Sequence, residues 1–159
     1  MISDAPQVIV AIDPGVSGGI AIYNSSVVRC MAMPASQADL VTLLKEVASE
    51  ANGKALVIIE DIPKFVAGMK TAITSMATLH FNAGFTCGAA CALDLRLKKV
   101  KPKAWQQAVG AGEKKTYGNR WKAHLKDLAI QRFPNLRKSI TLRTADALLI
   151  LSSALDGSC

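Results

Sequence analysis

The stretch that most constrains this chain runs from Val8 to Tyr23. Two apolar runs, Val8-Ile9-Val10-Ala11-Ile12 and Gly19-Ile20-Ala21-Ile22-Tyr23, flank Asp13-Pro14-Gly15-Val16-Ser17-Gly18. Short apolar runs rich in β-branched residues and divided by Pro and Gly read as buried strands joined by a tight turn. A strand that stops on Asp places the carboxylate at the edge of a sheet, where solvent and ligands reach it. Pro14 fixes its own φ and holds Asp13 extended. Gly15, Gly18 and Gly19 are expected to supply positive φ and a close backbone approach. A plain β-hairpin whose Asp bonds only its own turn would show the same stretch, so the rest of the chain has to decide.

Residues 7–12, 19–23 and 27–31 are predicted to be three antiparallel strands, with Asn24-Ser25-Ser26 as a turn. Ser36 is the expected N-cap of a helix that carries Asp39 in its first turn, repeats Leu40, Leu43, Leu44 and Val47, and stops near Asn52-Gly53. Residues 55–59 form a continuous apolar run, read as a buried strand parallel to the first across a helical crossover; it ends in Glu60-Asp61. A loop over residues 63–69 precedes a long helix of small residues over about 71–93, with Gly84 and Gly88 inside it. Those glycines fit a face on which another backbone, DNA or a second subunit packs closely, and Met69, Met76 and Phe81 are expected in the core.

Residues 95–100 read as the last, partly exposed strand. Trp105 is expected to begin a short helix ending near Gly110, and residues 113–118 to form a mobile basic loop. Asn119 is expected to cap a helix through Phe133 with Trp121, Leu125, Leu128 and Ala129 as its apolar stripe. A basic loop spans residues 135–143, and Thr144 is the expected N-cap of a final helix over residues 145–155. The sum is one α/β domain over residues 1–159: a five-stranded mixed sheet, its first three strands antiparallel, flanked by helices.

Charge divides the chain in two. Residues 96–143 hold 14 of the 19 Lys and Arg and 2 of the 12 acids, a net +12, whereas the remainder carries −5. Such asymmetry points to a polyanion, nucleic acid first. Lys101, Lys103, Lys114, Lys115, Arg120, Lys122, Lys126 and Arg143 are the candidate DNA contacts. No apolar run is long enough to span a membrane and no secretory signal stands at the N-terminus, so a cytoplasmic location is expected. Cys30, Cys87, Cys91 and Cys159 show no zinc spacing and are expected to be reduced thiols.

Asp13 ends the first strand, Glu60 ends the fourth, and Asp146 lies in the first turn of the last helix. Parallel neighbours lie about 4.8 Å apart, so the first two acids would share one sheet edge. A last helix packed on the sheet through Ala147, Leu148, Ile150 and Leu151 would bring Asp146 to the same edge. Taken alone, Asp146 reads more readily as a helix-dipole partner behind Thr144 than as a ligand. Three converging acids repel one another, and the usual remedy is a hard divalent cation. Oxygen-only ligation points to Mg²⁺ or Mn²⁺, the requirement of phosphodiester hydrolysis.

With Ala11-Ile12-Asp13-Pro14-Gly15-Val16-Ser17-Gly18-Gly19, Val57-Ile58-Ile59-Glu60-Asp61 and Thr144-Ala145-Asp146-Ala147-Leu148 in this order of elements, the chain resembles the RuvC-like Holliday junction resolvases of the RNase H-like superfamily. Ala83-Gly84-Phe85, Val100-Lys101-Pro102 with Trp105, and Arg132-Phe133-Pro134-Asn135 resemble the bacteriophage branch in particular. The resemblance implies an RNase H-like fold. It also implies a homodimeric, Mg²⁺- or Mn²⁺-dependent endodeoxyribonuclease that cuts four-way DNA junctions and leaves 5′-phosphates. It makes Asp13, Glu60 and Asp146 the metal ligands, and has Lys101 and one of Arg120 or Lys122 hold phosphate. The family usually carries a fourth acid, or a His, shortly before the last Asp, yet Thr141-Leu142-Arg143-Thr144 supplies none. Either a second metal is weakly held, or Asp61 or another acid substitutes, or cleavage is impaired. The last case describes a branched-DNA-binding protein of the same fold. A sugar-kinase or actin-type ATPase also uses an Asp-Gly turn after its first strand, but it needs a second domain and phosphate loop that this chain lacks.

Overall fold

Period-two alternation decides which face of the sheet each strand residue joins. The computed structural model describes residues 6–63 and 73–157. Five strands, β1 (Val8–Asp13), β2 (Gly19–Asn24), β3 (Val27–Ala32), β4 (Ala55–Glu60) and β5 (Arg96–Val100), form one sheet in the order β3-β2-β1-β4-β5. β1, β2 and β3 pair antiparallel, whereas β4 is parallel to both β1 and β5. The expected mixed five-stranded α/β sheet is therefore present.

Val8, Val10, Ile12, Val57 and Ile59 join one core layer, covered by α1 (Gln37–Ala51) and α2 (Ile73–Ala92). Ile9, Ala11, Leu56 and Ile58 join the opposite layer, under α3 (Pro102–Ala108), α5 (Trp121–Arg132) and α6 (Ala145–Leu155). Asp13 and Glu60 continue the second set, so alternation turns both carboxylates toward the α6 side. Every residue from Ala145 to Ser153 is buried, so α6 is the central helix of that layer.

Ser36 caps α1 by accepting from the Asp39 N–H at 3.1 Å, and Asn52 closes the helix in the left-handed region, as expected. Several other expectations are corrected. The helix carrying Trp105 begins at Pro102, which suits the first turn because it lacks an N–H, and Trp105 lies fully buried within it. Residues 113–118 are largely helical, as α4 (Lys114–Tyr117); Tyr117 stacks on His124 with ring centroids 3.7 Å apart. Asn119 sits in a 3₁₀ turn (Gly118–Arg120) and caps nothing, because α5 starts at Trp121. A second 3₁₀ turn (Pro134–Leu136) enters the basic segment before α6. Thr144 holds the N-cap position without a capping bond, since its Oγ1 accepts from the Thr141 N–H and donates to the Ser139 carbonyl. Phe81 is 63% exposed rather than in the core, because α2 buries only Thr86 and Ala90. The loop expected at residues 63–69, with Met69, lies outside the described residues apart from Pro63. Among those described, no helix is long and apolar enough to cross a membrane.

Candidate functional site

The glycines of the first turn serve space rather than φ: none of Gly15, Gly18 and Gly19 has a positive φ. A Cβ on Gly18 would lie 2.2 Å from the Asp13 carbonyl oxygen, and one on Gly19 would lie 2.5 Å from that of Arg143. Glycine there lets β2 run against the segment entering α6, on the side where the Asp146 charge reaches Asp13. Asp13 and Gly19 are opposite each other in the β1–β2 ladder.

Each carboxylate has one oxygen committed to a protein donor. Asp13 Oδ1 accepts from the Gly15 N–H at 3.3 Å. Glu60 Oε1 accepts from Trp105 Nε1 at 2.8 Å. Asp146 Oδ2 pairs with the Lys122 ammonium, while its Oδ1 is buried with no hydrogen-bond partner. The indole bond satisfies two needs, because a fully buried Trp requires an acceptor and a half-buried Glu requires orientation.

The charges of Asp13 and Asp146 both bear on Glu60, and that of Asp146 bears on Asp13. Burial, reinforced by the charges of Asp13 and Asp146, pushes the Glu60 carboxyl up to about 7, against the relief given by Trp105 and Lys122. Burial and the Asp146 charge raise Asp13 above its ordinary range. Burial opposes the Lys122 ammonium more than any other single influence. Asp146, through its charge and hydrogen bond, together with Asp13 and Glu60, outweighs that and raises it. The site thus holds more negative charge than it neutralises, and the orphaned Asp146 Oδ1 faces no donor.

An all-oxygen donor set with surplus negative charge and an unpartnered buried oxygen fits a hard divalent cation. As it stands, however, no group of three His, Cys, Asp or Glu side chains among the described residues is arranged to hold one. Asp13, Glu60 and Asp146 would have to close together around an ion.

The basic candidates divide. Lys122 and Arg143 line a concavity of about 400 Å³ with Asp13, Gly15 and Gly18. Arg143 is tethered there by donating from Nη2 to the Val16 carbonyl at 3.0 Å. Lys103, Lys114 and Lys115 line a separate concavity of about 750 Å³, where Lys115 pairs with Glu113 at 2.7 Å. Lys101 follows β5 and is exposed, Arg120 is exposed and Lys126 half-buried; none lines either concavity. Of Arg120 and Lys122, it is Lys122 that reaches the acids. The bond from Trp105 to Glu60 has no motif of its own in the sequence. Its one sequence signal is that Trp105 follows, by five residues, the Val100 that pairs with Glu60.

No protein-family model matches this sequence, and no curated protein matches it. Solved structures do match the fold. The structure described as T. thermophilus RuvC in complex with Holliday junction substrate aligns with a TM-score of 0.61 at 16% identity, covering 96% of this chain and 97% of that one. A Thermus thermophilus RuvC structure aligns with a TM-score of 0.58 at 16% identity, covering 95% and 97%. The chain therefore has the fold seen in RuvC, over nearly its whole length.

Proposed function

We propose that this chain is a divalent-metal-dependent, structure-selective endodeoxyribonuclease that resolves four-way DNA junctions and leaves 5′-phosphates. What supports this reading is that Asp13, Glu60 and Asp146 lie close enough on one side of a RuvC-type sheet for the charges of Asp13 and Asp146 to bear on Glu60, with Lys122 and Arg143 beside Asp13. Asp13, Glu60 and Asp146 would hold Mg²⁺ or Mn²⁺, which supplies activation of water and neutralisation of charge on the scissile phosphate. Trp105 fixes the orientation of Glu60, and Gly15 that of Asp13. Tethered by Val16, Arg143 offers its remaining N–H groups to a phosphate at the mouth of the Asp13 concavity. Lys103 and Lys114, farther along the basic half, hold flanking backbone and set orientation rather than sequence.

A homodimer, each subunit cutting one strand, fits the outer face of α2. Ala77, Phe81, Gly84, Gly88 and Cys91 are exposed there at helical spacing, and nothing among the described residues lies within 4 Å of a Cβ built on either glycine. The whole of residues 1–159 would act as one nuclease domain of the bacteriophage type. The absent fourth acid and the open spacing of the three present favour, as a second reading, a branched-DNA-binding protein with weak or lost cleavage.

The test is cleavage of a synthetic four-way junction with Mg²⁺ or Mn²⁺ by the wild type and by Asp13→Asn. Metal-dependent cutting that vanishes in the variant supports the nuclease. Tight junction binding without cutting under either ion supports the second reading. Equal cutting by both proteins removes Asp13 from the mechanism.

A further inference from the structure

Beside the Asp13 concavity lies another, of about 520 Å³, between the start of α1 and the middle of α2. The two share Val16 and Arg143, so the Arg143 guanidinium, tethered to the Val16 carbonyl, is the ridge between them. The volume falls in the range of about 300–1,000 Å³ usual for pockets that enclose small organic groups. Its apolar surface comes from Met33, Pro34, the buried Leu40 and the half-buried Phe85. Two carboxamides interrupt that surface, Gln37 from α1 and Asn82 from α2, and neither side-chain amide has a hydrogen-bond partner among the described residues. Thr78 and Thr86, by contrast, already donate their hydroxyl protons to the Thr74 and Asn82 carbonyls. No acid among the described residues lines this cavity.

These parts match the parts of one nucleotide. A flat heteroaromatic base gains from apolar and aromatic surface, and carboxamides read its edge, Asn and Gln suiting adenine. A phosphate suits a fixed guanidinium. With a phosphate on Arg143, the base next along the strand is the group that reaches the cavity. Taking a base out of the stack costs least where pairing is already interrupted, as at a branch point.

We propose that this cavity receives an unstacked base, adenine in preference to the others, from the nucleotide beside the phosphate held at Arg143, with Asn82 and Gln37 reading its edge. This rests on the junction-binding part of the reading above and adds to it a choice of where along the strand the protein sets itself.

The experiment follows the base directly. Four-way junctions carry 2-aminopurine, an adenine analogue that brightens on leaving the base stack, at one position at a time from the exchange point outward. Each is mixed with the full chain in a chelator, so neither an ion nor cleavage is needed, and binding is read separately by anisotropy. The wild type is expected to raise the fluorescence at least about threefold at one position near the exchange point and to leave positions deep in the arms unchanged. Gln37→Leu and Asn82→Leu each remove an amide, and Thr78→Trp, at an exposed lining position, fills the cavity. Circular dichroism verifies their folding; Gln37 and Thr78 are exposed, so those two variants keep the test open if Asn82→Leu misfolds. Each variant is expected to lose about half of the rise or more while still binding the junction. Binding by the wild type without a rise at any position overturns the base pocket and leaves the junction reading intact. A rise that Thr78→Trp keeps in full puts the unstacked base elsewhere and overturns it as well. A rise lost in Thr78→Trp but kept in both amide variants overturns the role given to Gln37 and Asn82. No binding of the junction by the wild type overturns the reading on which the pocket rests.

Discussion

Replacing Glu60 by Gln should make the metal-free protein more stable at alkaline pH, although the substitution removes a proposed ligand. The Glu60 carboxyl is pushed up to about 7 from an ordinary 4.5, chiefly by burial and then by Asp13. A folded-state pKa above the unfolded value means that the folded protein keeps a proton the unfolded chain has released. The associated stability is fully present below about pH 4.5 and is lost as the pH rises through about 7. Each pKa unit is worth about 1.4 kcal/mol, so the penalty above neutral pH is on the order of 3 kcal/mol. Gln carries no charge at any pH, and its side-chain carbonyl can still accept from Trp105 Nε1. At roughly 2–4 °C per kcal/mol for a chain of this size, the variant should melt about 6–12 °C above wild type at high pH. The assay is thermal unfolding in a chelator, followed by circular dichroism, near pH 8 and near pH 4.5. The gap should close at the lower pH. A variant no more stable than wild type near pH 8 would refute the argument that Glu60 is buried among uncompensated charge.

Other consequences follow from the same geometry. Trp105→Phe keeps an aromatic ring in the core but removes the donor to Glu60; it should cost about 1–2 kcal/mol in urea unfolding and a much larger factor in junction cleavage. Gly19→Ala puts a Cβ against backbone at Arg143 and should destabilise by about 1–3 kcal/mol or prevent folding, whereas Gly84→Ala meets nothing and should raise helix stability by up to about 1 kcal/mol. If α2 is the dimer face, Gly84→Ala should also weaken self-association in sedimentation. Arg132→Met strands the Ser152 hydroxyl and the Val109 carbonyl and should cost about 1–3 kcal/mol, with little effect on junction affinity.

The strands were legible because their signal is local. Runs of β-branched residues bounded by Pro, Gly and Asn state both period and length, and a crossover between the first and fourth runs leaves little choice but parallel pairing. Asp13 and Glu60 could be placed on one edge for that reason. Asp146 was placed because α6 is so uniformly apolar that it had to lie across the sheet. What escaped was tertiary. The stacking of Tyr117 on His124 makes helix of a segment that reads as a mobile loop. Pro102 moves the start of α3, which lets Trp105 sit under the sheet edge and reach Glu60. Of the two properties expected of Gly18 and Gly19, the close backbone approach holds, against Asp13 and Arg143, whereas the positive φ does not. Phe81 reads as core because an aromatic in an apolar helix usually packs, and sequence alone does not show how little of α2 the sheet covers.

The account stands on Asp13, Glu60 and Asp146 acting as one metal site, and a crystal structure grown with Mn²⁺ tests that most directly. Anomalous scattering should place Mn²⁺ between the three carboxylates, with Trp105 still bonded to Glu60. Mn²⁺ bound elsewhere, with the three acids as far apart as they stand without metal, would contradict it.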